Sequence, residues 1–75
     1  MTSEATKLQN LGRNIAKYRK AKGYSQNELA EVLGISREHL AKLETAKRRI
    51  SLQLLFQLAQ VLDVSEMQLF DFNTI

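Results

Sequence analysis

Between Ser25 and Glu44 two short apolar patterns are separated by a single glycine, and this spacing constrains the fold more than any other feature of the chain. Ser25 to Ile35 reads as a short helix and its turn, with Ser25 and Glu28 at capping-box spacing and Gly34 where the helix must stop. Ser36 to Glu44 reads as a second helix. Leu29, Leu33, Ile35, Leu40 and Leu43 stand where two crossed helices need core contacts, and Ala30 is small where their backbones come close. A second helix anchored through Leu40 and Leu43 leaves its opposite, polar side free.

The remaining segments supply the support for that pair. Leu8, Leu11, Ile15 and Tyr18 recur every three or four residues and predict a first helix from about Lys7 to Lys22, with Thr6 and Gln9 as its cap. Gly12 interrupts this helix at a cost of about 1 kcal/mol relative to alanine, for which close packing is one explanation. A fourth helix starts after Ser51; Leu52, Leu54, Leu55, Phe56, Leu58, Ala59, Val61 and Leu62 make it apolar nearly all round and predict a central, largely buried element. A fifth starts after Ser65, boxed with Gln68, and carries Met67, Leu69 and Phe70. No segment alternates as a strand does, so the expected fold is all-α, a compact five-helix domain. One domain is expected over residues 1–75, with its core at about 7–70 and short tails.

Such a chain buries only about 60% of its unfolded surface. It has no cysteine, so disulfides and thiolate metal sites cannot supplement the core. Acids and the single histidine, His39, are scattered, which argues against a metal site. No apolar run approaches the roughly 20 residues of a membrane span, and the start, Met1 to Thr6, has no signal-peptide core. A cytoplasmic location is expected.

Charge is distributed unevenly. All eleven Lys and Arg lie between Lys7 and Arg49 against Glu28, Glu31, Glu38 and Glu44, a net of +7. Residues 50–75 hold Asp63, Glu66 and Asp71 and no base, a net of −3. The first part suits a polyanion and the second is repelled by one.

The string SQNELAEVLGISREHLAKLETAKRRISLQLLFQLAQVLDVSEMQLF, with GRNIAKYRKAKGY before it, resembles the phage-repressor and Cro-like helix-turn-helix domains over about Leu11 to Phe70. Gln26, Leu29, Ala30, Gly34, Ile35, Leu40, Glu44 and the LFQLAQVLDVS block agree together. The resemblance implies a lambda-repressor-like five-helix domain that binds operator DNA, usually as a symmetric dimer. The chain also resembles the small controller proteins of restriction-modification systems. Two departures bear on the loop Thr45–Ser51: Ala46 stands where the family often ends the third helix with glycine, and Ile50 where proline is common. They leave the end of the third helix and the course of that loop open.

Opposite Leu40 and Leu43, the third helix presents Glu38, Ala41, Lys42 and Thr45, flanked by Arg37 and His39. The resemblance implies that Arg37, Glu38 and Lys42 read base edges. Arg37 and Lys42 can donate to guanine O6 and N7, Glu38 can accept from cytosine N4, and Ala41 can meet a thymine methyl or permit close approach. The alternative is a solvated face with an ordinary Glu38–Lys42 pair. Gln26 opens the second helix, where its amide and the helix N-terminus suit a phosphate, a role the resemblance also implies. Ser36, His39, Thr45, Lys47, Arg48 and Arg49 complete the candidate DNA-backbone set. Arg13, Lys17 and Lys20 on the first helix are read as solvated charges ahead of phosphate ligands. Arg19 and Glu44 are expected to pair between the first and third helices, as matching residues often do in the family.

Phe56, Leu69, Phe70, Phe72 and Ile75 are more apolar residues than so small a core needs, and they lie in the acidic part. They predict a homodimer interface. The expected function is a sequence-specific double-stranded DNA-binding transcription regulator, a repressor or autoregulator. An antitoxin-like protein-interaction module and a non-specific nucleic-acid binder are the alternatives. No Ser/His/Asp set, glycine-rich phosphate loop or paired carboxylates point to an enzyme, and nothing points to a cofactor or a small-molecule ligand.

Overall fold

Five helices and no strand make up residues 3–72, which the computed structural model describes: α1 (Glu4–Ala21), α2 (Gln26–Leu33), α3 (Arg37–Glu44), α4 (Leu52–Leu62) and α5 (Glu66–Leu69). A serine caps each of them. Ser3, Ser25, Ser36, Ser51 and Ser65 all have extended backbones, and each hydroxyl accepts the N–H of the residue three places on. Ser25 with Glu28 and Ser65 with Gln68 form full capping boxes. The Ser25 backbone N–H, and then its hydroxyl, hold the Glu28 carboxyl below its usual range. That contribution to stability is complete above the ordinary carboxylate range and is lost as pH falls through the lowered value.

The start of α1 differs from the sequence expectation. Ser3, not Thr6, is the cap, and Thr6 lies inside the helix, donating its N–H to Ser3 Oγ at 3.1 Å. Ser3 can serve because the residues between it and Thr6 are good helix formers, so one further turn forms.

The core is a leucine cluster. Leu11 and Ile15 from α1, Leu29 and Leu33 from α2, Leu40 and Leu43 from α3, Leu54, Leu55, Leu58 and Leu62 from α4, and Leu69 from α5 are all buried. Helix α4 is not buried all round. Leu52 and Phe56 are exposed and Val61 half-buried, because a chain this small has helices to cover only one side of it.

Two polar details pin the helices in register. Asn14 sits in the apolar stripe of α1, 1% exposed, and its Nδ2 donates to the Leu69 and Asp71 carbonyls at 2.8 and 3.1 Å. This ties α1 to the end of α5. Gly12 lies against the last turn of α3, where a Cβ would stand 2.5 Å from the Glu44 carbonyl oxygen and 2.7 Å from that of Leu43. Close packing is therefore why a glycine interrupts α1.

The end of α3 keeps a glycine-type conformation without a glycine. Ala46 has φ 60°, with Lys47 N–H donating to the Lys42 carbonyl at 2.8 Å and Ala46 N–H to that of Leu43 at 3.3 Å. A left-handed alanine costs about 1–2 kcal/mol, and glycine's greater freedom in the unfolded chain offsets about 0.4–1 of this. Ala46→Gly is expected to raise Tm by about 3–6 °C; a lower Tm in thermal melts would contradict the strain.

Candidate nucleic-acid interface

Helix α3 lies with Leu40 and Leu43 in the core and its opposite side in solvent. Arg37, Glu38, Lys42 and Thr45 are exposed, and Ala41 and His39 are half-exposed. The expected reading face thus forms one continuous surface. Glu38 and Lys42 meet at 3.1 Å in an exposed i,i+4 pair, worth only about 0.3–0.5 kcal/mol, so either partner is available to another ligand at little cost. Arg37 pairs with no carboxylate among the described residues. Ser36 Oγ accepts the His39 N–H at 3.0 Å, and Thr45 Oγ1 donates to the Ala41 carbonyl at 2.8 Å. Both hydroxyls therefore have local duties as well.

Behind this face stands a buried polar network. Arg19 Nε donates to Glu44 Oε2 at 2.7 Å, and a terminal nitrogen of the same guanidinium donates to Oε1 at 3.2 Å. The other terminal nitrogen donates to the Tyr24 carbonyl at 2.9 Å. The two side chains are only 10% and 6% exposed, so the pair joins α1 to α3 away from water. Gln26 Nε2 also donates to Glu44 Oε1, at 2.9 Å. One of its two amide N–H groups is thus spent internally, in a side chain that is half-buried at the start of α2. Sequence reasoning places Gln26 beside a phosphate and misses its bond to Glu44, which depends on how α2 crosses α3.

The loop after α3 carries the cations Lys47, Arg48 and Arg49, all exposed. Arg49 meets Glu4 of α1 at 3.1 Å; Lys47 and Arg48 pair with no carboxylate among the described residues. On the acidic side, Phe56 and Phe70 are 55% and 48% exposed. Phe72 is half-buried and meets Phe70 edge-on, with ring centroids 6.4 Å apart. Leu69 corrects the expected dimer surface: at 0% exposure it belongs to the core, because it points inward from the turn that Asn14 holds. Ile75 lies outside the described residues. Among the described residues no three His, Cys, Asp or Glu side chains gather where they could hold a metal ion, and no helix is long and apolar enough to cross a membrane.

The arrangement of α2 and α3, crossed about Gly34 with one helix face left open, agrees with a family profile described as helix-turn-helix that matches residues 15–69. The chain belongs to the helix-turn-helix family. It is 42% identical over 62 residues to the HTH-type transcriptional regulator SinR of Bacillus subtilis, covering 81% of this chain and 56% of SinR. The chain spans about half the length of the curated relatives it matches. Among solved structures it resembles the restriction-modification controller protein C.AhdI from Aeromonas hydrophila, with a TM-score of 0.79 and 35% identity over 84% of this chain and 96% of that one. The crystal structure of SinR in complex with DNA matches with a TM-score of 0.75 and 42% identity over 81% and 98% of the two chains.

Proposed function

We propose that this protein is a sequence-specific double-stranded DNA-binding transcription regulator that lays α3 in the major groove. The observation that carries the reading is the exposed polar face of α3, with the start of α2 tied to its last residue by the Gln26–Glu44 bond and the exposed cations Lys47 and Arg48 following in the chain. The likeness to SinR, solved with DNA bound, supports it. Arg37, Glu38, Ala41 and Lys42 meet base edges. Gln26, Ser36, His39, Thr45, Lys47, Arg48 and Arg49 hold the backbone, which positions the helix but carries no sequence information. Two copies bind as an isologous dimer through the exposed apolar side of α4 and α5, with Phe56, Phe70 and Phe72 at its centre. The acidic part of each copy then faces away from the duplex, and the dimer represses or autoregulates by occupying an operator.

Selection of bound sites from randomised duplex DNA tests the reading. Two half-sites related by a dyad are expected, with centres about 34 Å apart. Arg37→Ala should cost about 1–3 kcal/mol on the selected site and relax the preference at one base pair per half-site. Failure to enrich any sequence would favour a non-specific binder, and enrichment of single unrelated half-sites would remove the dimer.

A further inference from the structure

We infer that the hollow between α1 and the end of α3 binds a DNA phosphate, with Arg13 as its principal ligand. This rests on the DNA-binding reading above and adds a backbone site outside the two-helix unit. The hollow, of about 250 Å³, is lined by Gln9, Arg13, Glu44 and Thr45. Its position follows from Gly12, whose missing side chain lets α1 rest on the last carbonyls of α3. Gln9 and Arg13, one turn apart, are thereby set beside Thr45, the last residue of the reading face. The exposed cations Lys47 and Arg48 follow directly. A strand of the duplex crossing the end of α3 therefore meets the loop and the hollow together.

The electrostatics of the hollow favour an anion. Glu44 is its one acidic lining residue, and that carboxylate already receives two bonds from Arg19 and one from Gln26. Its charge is thus neutralised in place. Arg13 is exposed and pairs with no carboxylate among the described residues, which leaves its N–H fork free to meet phosphate oxygens. The Gln9 amide supplies a further donor. Two nearby cations are placed differently: Lys17 of α1 lies over the Tyr18 ring, 5.1 Å from its centroid, and Lys22, just past the end of α1, is 3.9 Å from Asp63 in the acidic part.

The test compares wild type, Arg13→Gln and Lys22→Gln on the duplex selected by wild type and on a random-sequence duplex, as salt is varied. Lys22→Gln removes the same charge at the far end of α1, beside Asp63 and outside the hollow. Arg13→Gln is expected to lower affinity equally on both duplexes, because a phosphate contact carries no sequence information. Its log–log salt slope should be shallower by about 0.9 per bound copy, so the wild-type advantage per copy shrinks by about 3.5-fold between about 50 and 200 mM salt. Lys22→Gln should leave the slope close to wild type. The inference is overturned if Arg13→Gln keeps the wild-type slope, if Lys22→Gln changes it as much, or if the loss is confined to the selected duplex. Wild type binding neither duplex would remove the DNA-binding reading as well, whereas wild-type binding indifferent to Arg13 removes this site alone. Circular dichroism melts of both variants, each altered at a solvent-facing cation, confirm that they fold.

Discussion

Arg19→Ala is expected to lose about 3–5 kcal/mol of stability, which for a domain of this size lowers Tm by about 15–25 °C. The loss arises from what remains. Glu44 is 6% exposed and would keep only the Gln26 amide, while the Tyr24 carbonyl would lose its donor. A stranded, desolvated carboxylate is far costlier than the pair is beneficial. Replacing both partners together, as in Arg19→Met with Glu44→Leu, should therefore recover much of the loss. Arg19→Lys should not, since an ammonium cannot reach Oε1, Oε2 and the Tyr24 carbonyl at once. Thermal melts of the single variant decide the matter: a loss below about 1 kcal/mol would mean that the pair behaves as a surface ion pair. Set against a total stability of about 5–15 kcal/mol, the expected effect is large enough to leave part of the protein unfolded at ordinary temperatures.

Gly12→Ala is expected to destabilise the fold by about 2–3 kcal/mol, although alanine is the better helix former by about 1 kcal/mol. The added methyl would meet two backbone carbonyl oxygens, those of Glu44 and Leu43, at separations no real Cβ tolerates. Neither can swing aside as a side chain can, so α1 and α3 must separate. That movement would also pull Arg19 from Glu44 and open the hollow beside Thr45. Chemical denaturation should show a lowered midpoint with an unchanged m-value. A Gly12→Ala variant as stable as wild type would mean that the two helices slide apart without cost.

The local rules explain why so much of the architecture is legible in the chain. Serines 25, 36, 51 and 65 satisfy the unpaired N–H groups at helix starts, and Gly23 and Gly34 adopt the left-handed turns that follow α1 and α2. These effects act within four residues, so spacing alone reveals them. The open face of α3 is legible for the same reason, since Leu40 and Leu43 specify which side must go inward. Asn14 carries a fainter signal of its buried role: it is a polar residue at a core position of the stripe formed by Leu11, Ile15 and Tyr18.

Other features depend on how distant segments meet. That α4 exposes Phe56, that Leu69 is sealed in the core, that Gln26 bonds to Glu44 and that Arg13 stands beside the end of α3 all follow from packing between elements. Residue periodicity states which face of a helix is apolar, because that pattern is local. It does not state how many neighbours arrive to cover the face, or which side chains come within hydrogen-bond reach across it. Ala46 marks the boundary between the two regimes. Its local preference is against a left-handed turn, yet the hydrogen bonds to the carbonyls of Lys42 and Leu43 hold it there. The pattern of apolar and capping residues thus decided that five helices form and where they begin, through forces that reach only one turn; which surfaces close on one another was decided by long-range packing, whose energy is shared among residues far apart in the chain.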